Sequence, residues 1–225
     1  MTLRLINDVV KPWEELNTLL VQRFAFQPDL SDVTRLASAL AVSIKHQADL
    51  RGASRSSVDK ASGANRIMSD VADAAKHGRQ LDNPSRNNTL YVASCFEYAA
   101  GRGFRFIRNS ITVSHVSYGE VDFMATALEA AQYWIRVLGF SLNRNLAVFE
   151  GPDEFFPTAY LYFNPKYCIN MSQTRLKFFE KQNDRNYRPF DPPEVRFEVF
   201  EIPEEGNLTL GGTDRQRPVG RSPQR

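Results

Sequence analysis

Apolar residues recur at helical spacing through the first half of this 225-residue chain and at strand spacing after it. Trp13, Leu16, Leu19, Leu20 and Phe24 share a helical face. Pro12 opens that helix, because a first turn tolerates a residue without an N–H. Pro28 closes it, and Ser31 caps a second helix whose stripe is Val33, Leu36, Ala37, Leu40 and Ile44. Residues 51–63, rich in Ser, Gly and Arg, read as a flexible connection. A third helix runs from Asn65 to His77, and Gly78 stops it by tolerating the left-handed backbone that follows a helix end.

The period changes after Asn83-Pro84-Ser85. Leu90, Val92 and Phe96 alternate, Ala99 to Gly103 form a turn, and Phe104 to Ile107 return as the second arm of a hairpin, continued by Ile111 and Val113. Met124, Leu128, Ala131, Ile135 and Leu138 mark a last helix over 121–138. Phe155–Phe163, Ile169–Phe179 and Val195–Ile202 are aromatic or β-branched strands punctuated by prolines. The expected fold class is α+β: about four helices forming a bundle with an inserted β-hairpin, followed by a small C-terminal antiparallel sheet. The expected division is a bundle over 1–140 with its hairpin at about 88–116, a strand-rich portion over 141–205 and a disordered basic tail over 206–225.

Composition narrows the function classes. The formal charge is +2, so there is no global nucleic-acid signature. Charge is uneven, however: residues 76–108 carry Lys76, Arg79, Arg86, Arg102, Arg105 and Arg108 against Asp82 and Glu97. The two cysteines, Cys95 and Cys168, form no paired motif and read as buried thiols in a reducing compartment. The first residues lack the basic start and apolar run of a signal peptide, and no apolar segment approaches the roughly 20 residues that cross a bilayer. A cytoplasmic protein without a membrane association is expected. There is no glycine-rich phosphate loop, nucleophile elbow or His-Glu-x-x-His, and His46, His77 and His115 fit no metal spacing. Neither cofactor nor metal is expected.

Two groups of residues could carry chemistry. Arg66, Asp70, Asp73 and His77 lie at i, i+4, i+7 and i+11, one face of the third helix, where a carboxylate could orient an imidazole. The simpler reading of that stripe is a solvated face with Arg66–Asp70 and Asp73–His77 pairs of about 0.2–0.5 kcal/mol each. The second group is Arg108-Asn109 followed by His115, with Tyr118 close behind. Arg108-Asn109-Ser110-Ile111-Thr112-Val113-Ser114-His115 resembles the arginine–polar–histidine motif of HEPN-type helical-bundle ribonucleases, and the helix from Val121 resembles the last helix of such a bundle. The resemblance implies a metal-independent homodimeric ribonuclease in which Arg108 stabilises phosphate charge and His115 moves a proton, with His77, Asp73 or Tyr118 in support. The family's motif opens a helix, whereas Ile111-Thr112-Val113 favours a strand.

The alternating stretch Arg102-Gly103-Phe104-Arg105-Phe106 offers a different role. Exposed aromatics could stack on bases while arginines meet phosphates, or the phenylalanines could face the core and the arginines water. These residues, with Arg79 and Arg86, define a basic hairpin surface. Two hypotheses follow: a non-enzymatic interaction protein that binds a protein or RNA partner through Arg79, Arg86, Arg102 and Arg105, or the ribonuclease that uses Arg108 and His115.

Overall fold

The structure of the chain, a computed structural model, describes residues 2–22, 29–77, 83–163, 175–182 and 186–201. Its first helix begins earlier than the periodicity predicts. α1 (Thr2–Leu5) runs through a π-helical turn (Ile6–Val10) into α2 (Lys11–Leu20), so Pro12 lies inside a helical run rather than at its start. The widened turn explains the passage: Lys11 N–H reaches back five residues to Ile6 O, and Pro12 has no N–H to leave unpaired. α3 (Asp29–Leu50) begins upstream of Ser31. The expected flexible connection contains a helix, α4 (Arg55–Ala61), which buries Val58, and α5 (Gly63–His77) follows. The helix stop at Gly78, Arg79, Cys168 and the expected tail over 206–225 lie outside the described residues.

After a short 3-10 segment (Pro84–Arg86) come β1 (Asn88–Ala99), β2 (Gly103–His115) and β3 (Gly119–Asp122). α6 (Phe123–Val137) starts on Asp122, whose carboxylate accepts from Ala125 N–H at 2.8 Å, a cap worth about 1 kcal/mol. The remaining strands are β4 (Ala159–Phe163), β5 (Leu176–Lys181), β6 (Tyr187–Pro189) and β7 (Phe197–Glu201).

These strands overturn the expected architecture. The C-terminal strands do not form one antiparallel sheet behind a helical bundle. β5 pairs parallel with β1, from Ser94↔Leu176 to Glu97↔Phe179, giving a mixed sheet in the order β3-β2-β1-β5-β6. β4 and β7 pair parallel in a separate two-stranded sheet. Parallel partners lie far apart in sequence, and no local period announces them. The coarser class, α+β, stands.

The chain forms two compact units. The first comprises Met1–Leu20, Asp32–Val92 and Ser110–Phe149. Trp13, Leu40, Ile44, Met68, Ile111, Phe123 and Trp134 are buried in it, each contributing about 1.5–3 kcal/mol by leaving water. Both indole N–H groups are satisfied: Trp13 donates to Met124 O (3.0 Å) and Trp134 to Asn65 Oδ1 (2.8 Å). The second unit comprises Val21–Ser31, Ala93–Asn109 and Glu150–Arg225, around Phe96, Phe104, Phe106, Ala159 and Leu161. There Gly103, at φ +94°, admits Phe104 and Phe156 to mutual backbone pairing, because a Cβ at 103 would meet Phe156 O at 2.1 Å.

Candidate functional site

Arg105 and Arg86, both assigned above to a basic surface, belong to internal networks, one in each unit. In the second unit Arg105 sits on β2 between Phe104 and Phe106, and all three side chains are buried. The strand thus has neither a wet arginine face nor exposed aromatics. All five guanidinium N–H groups find acceptors: Nε donates to Pro152 O (3.0 Å), Nη1 to Glu97 Oε2 (2.9 Å) and Tyr187 Oη (3.2 Å), Nη2 to Glu150 Oε2 (3.0 Å) and Gly151 O (2.9 Å). Tyr187 Oη–H donates onward to Glu150 Oε2 at 2.9 Å. Burial by itself lowers the Arg105 pKa, but the Glu97 bond, Tyr187 and Glu150 more than reverse this and raise it. Burial, then the bond to Glu150, pushes the Tyr187 phenol well above its usual value. The loop is held closely: Gly151 N–H donates to Ile107 O (2.6 Å), and a Cβ at 151 would lie 2.8 Å from Phe106 O. Arg105 is therefore a clamp that fixes residues 150–152 to β2.

In the first unit the polar stripe of α5 is not a solvated face. Asp70 is fully buried and receives both Arg86 and His115, so the expected Arg66–Asp70 surface pair gives way to an interior one. Asp73 accepts from Lys45 of α3 and from Arg86 Nη2 (3.1 Å) rather than serving His77, which is exposed at the helix end. For Asp73, burial is the largest single influence and raises the pKa, yet the bond and charge of Lys45 and the charge of Arg86 together hold it below the usual carboxylate value. Burial, then the charge of Asp70, raises the carboxyl of neighbouring Asp59.

His115 closes this network, with only 3% of its surface exposed. Its Nε2 lies 3.1 Å from Asp70 Oδ2, and its Nδ1 accepts from Ser117 backbone N–H at 3.0 Å. A backbone amide only donates, so Nδ1 carries no proton and Nε2–H donates to Asp70. Both ring nitrogens are occupied. Above the ring the turn between β2 and β3 reaches the surface. Val116 N–H donates to Asn87 O (3.0 Å) and Ser117 Oγ–H to Ser85 O (2.7 Å). The Tyr118 ring meets His115 edge-on at 5.0 Å, and the Arg66 guanidinium lies 5.8 Å from the Tyr118 ring centroid. On this pinned turn Val116 is 69% exposed and Tyr118 38%.

The other candidates are dispersed. Arg102 is exposed and stacks over Phe155 at 3.8 Å, and Arg108 is half-buried on β2. Arg108 and His115 stand seven residues apart on that one extended strand, which spaces their Cα atoms by on the order of 20 Å. Among the described residues no group of three or more His, Cys, Asp or Glu side chains could hold a metal ion, and no helix is long and apolar enough to cross a membrane. Lys45, Glu150 and Tyr187 join these networks without any sequence signal of their own, and Glu97 stood out in the sequence only as a counted charge. Glu97, inside the apolar run Ser94-Cys95-Phe96-Glu97-Tyr98, was the available signal: a charge on a buried strand needs a buried partner. The chain matches no protein-family model, no curated protein and no solved structure.

Proposed function

We propose that this chain is a non-enzymatic protein-interaction module that docks through the turn Val116–Tyr118 together with Arg66. The observation that supports the reading is a combination. The turn is anchored from below by His115, Asn87 and Ser85, yet it holds Val116 and Tyr118 out to solvent. A surface pinned before binding loses little freedom on docking, and Tyr and Arg are the side chains that most often dominate an interface. A protein partner fits better than RNA. Arg86 and Arg105 already face carboxylates and Arg102 lies over Phe155, so these three arginines of the expected basic surface are engaged within the chain rather than held ready for phosphates.

The test is capture of partners from the source cells by the full chain and by Val116→Asp and Tyr118→Ala, with folding checked by circular dichroism. Loss of the same partners from both folded variants, by at least about 30-fold in affinity, is expected if the turn holds the dominant contacts. Retention of every partner would overturn the assignment. So would EDTA-resistant cleavage of mixed RNA that disappears in His115→Ala, the outcome that a HEPN-like enzyme requires.

A further inference from the structure

We propose that protonation of His115 unlatches the turn Val116–Tyr118, which makes its anchoring responsive to pH; the consequence for docking rests on the reading of the turn given above. The neutral ring is saturated, with Nε2–H on Asp70 and Nδ1 under Ser117 N–H. A second proton has one place to go, Nδ1. There it sets two donors against each other across the 3.0 Å now spanned by a hydrogen bond. Either the ring rotates and abandons Asp70, or Ser117 moves away and takes Tyr118 with it. The turn would retain Val116 N–H on Asn87 O and Ser117 Oγ–H on Ser85 O, both on the segment that carries Arg86.

The charged and titratable groups around the ring come from several elements. Asp70 of α5 faces Nε2 and is shared with Arg86 of the 3-10 segment, while Tyr118 of the turn lies against the ring. Behind them stand Asp73 of α5 and Lys45 of α3, Asp59 of α4 acts on Asp70 through charge, and Arg66 covers Tyr118. Among the described residues the new cation would therefore share its one direct carboxylate, Asp70, with an arginine that is already in place.

A nuclear magnetic resonance pH series on the full chain tests this, following the His115 ring nitrogens, the Ser117 amide and the Tyr118 ring together. The resting ring is expected in the Nε2–H form. The Ser117 and Tyr118 signals are expected to move with the midpoint of the ring, and Ser117 amide protection to fall about five-fold across it, the loss of one hydrogen bond. Stationary turn signals while the ring titrates, a resting Nδ1–H form, or a ring that never titrates in the folded state would each overturn the proposal. The same movement in His115→Gln would do so too, by assigning it to Asp59, Asp70 or Asp73; if that variant does not fold, the wild-type series alone decides. A silent turn combined with partner loss in Val116→Asp would overturn the latch and leave the docking reading. A moving turn with intact capture would do the reverse.

Discussion

Arg105, with 6% of its side chain exposed, spends five N–H groups on two glutamates, a tyrosine and two loop carbonyls, whereas Arg86, with 33% exposed, leans on two aspartates that also serve Lys45 and His115. In the first arrangement the cation, carried by β2, is the hub and its partners are fixed by β1, β6 and a loop. In the second a carboxylate, Asp70, is the hub, and the chain of contacts continues through His115 into a turn that meets solvent. The hub decides what a network can do. A saturated guanidinium has no second protonation state in water and only holds the fold, whereas a carboxylate–imidazole hub leads to a group that can gain a proton. Two arginines that look alike in sequence thus serve structure in one unit and a candidate function in the other.

The largest expected effect tests the closed network. Arg105→Met leaves Glu97 buried without its cation and frees the loop at Gly151, and is expected to cost about 3–5 kcal/mol in urea unfolding. Adding Glu97→Leu is expected to restore most of that loss, since the penalty lies in the orphaned charge rather than in the missing attraction. A cost below about 1 kcal/mol for the single variant would mean that the clamp is ornamental. Next comes Asp70→Asn, which keeps the shape but removes the charge shared by Arg86 and His115. It is expected to cost about 1–3 kcal/mol and to raise hydrogen exchange at residues 116–118, which Arg105→Met would leave unchanged. Equal exchange at the turn in both variants would erase the distinction between the two networks.

The same contrast explains what the sequence allowed to be read. α6 was legible because its apolar residues recur at a helical period, although the helix expected over 121–138 begins only at Phe123, after its Asp122 cap; α5 was legible from the same kind of pattern, although its burial over 67–72 is continuous. The strand pattern of β1 and β2 was legible too, but not the coverage of β2. Alternation predicts one wet face, and the Glu150–Pro152 loop abolishes it by bringing backbone carbonyls to Arg105. The parallel partnership of β1 with β5 joins residues some eighty positions apart, and no local signal encodes it. At the candidate site the stripe Asp70–Asp73 and the histidine His115 were each visible as residues. Their junction was not, because it needs the 3-10 segment to deliver Arg86 and the β2 terminus to deliver His115 to the same carboxylate.

The smallest effects concern the carboxylates behind that junction, and they should oppose each other in sign. The folded-state pKa of Asp73 is depressed, so its contribution to stability is present above the ordinary carboxylate value and lost as pH falls through the depressed one. Asp59 is raised by burial and by Asp70, so its contribution is fully present below the ordinary value and lost as pH rises through the raised one. At neutral pH Asp59 is therefore a charge held at a cost, and Asp59→Asn is expected to stabilise the chain by less than about 1 kcal/mol, solvent screening included. Asp73→Asn is expected to destabilise it at the same pH, and both effects should vanish in acid, below the titration of both groups. Thermal unfolding of the two variants at neutral and at acid pH measures all four values. If Asp59→Asn destabilised equally at both, Asp59 would be acting through a hydrogen bond rather than through its charge.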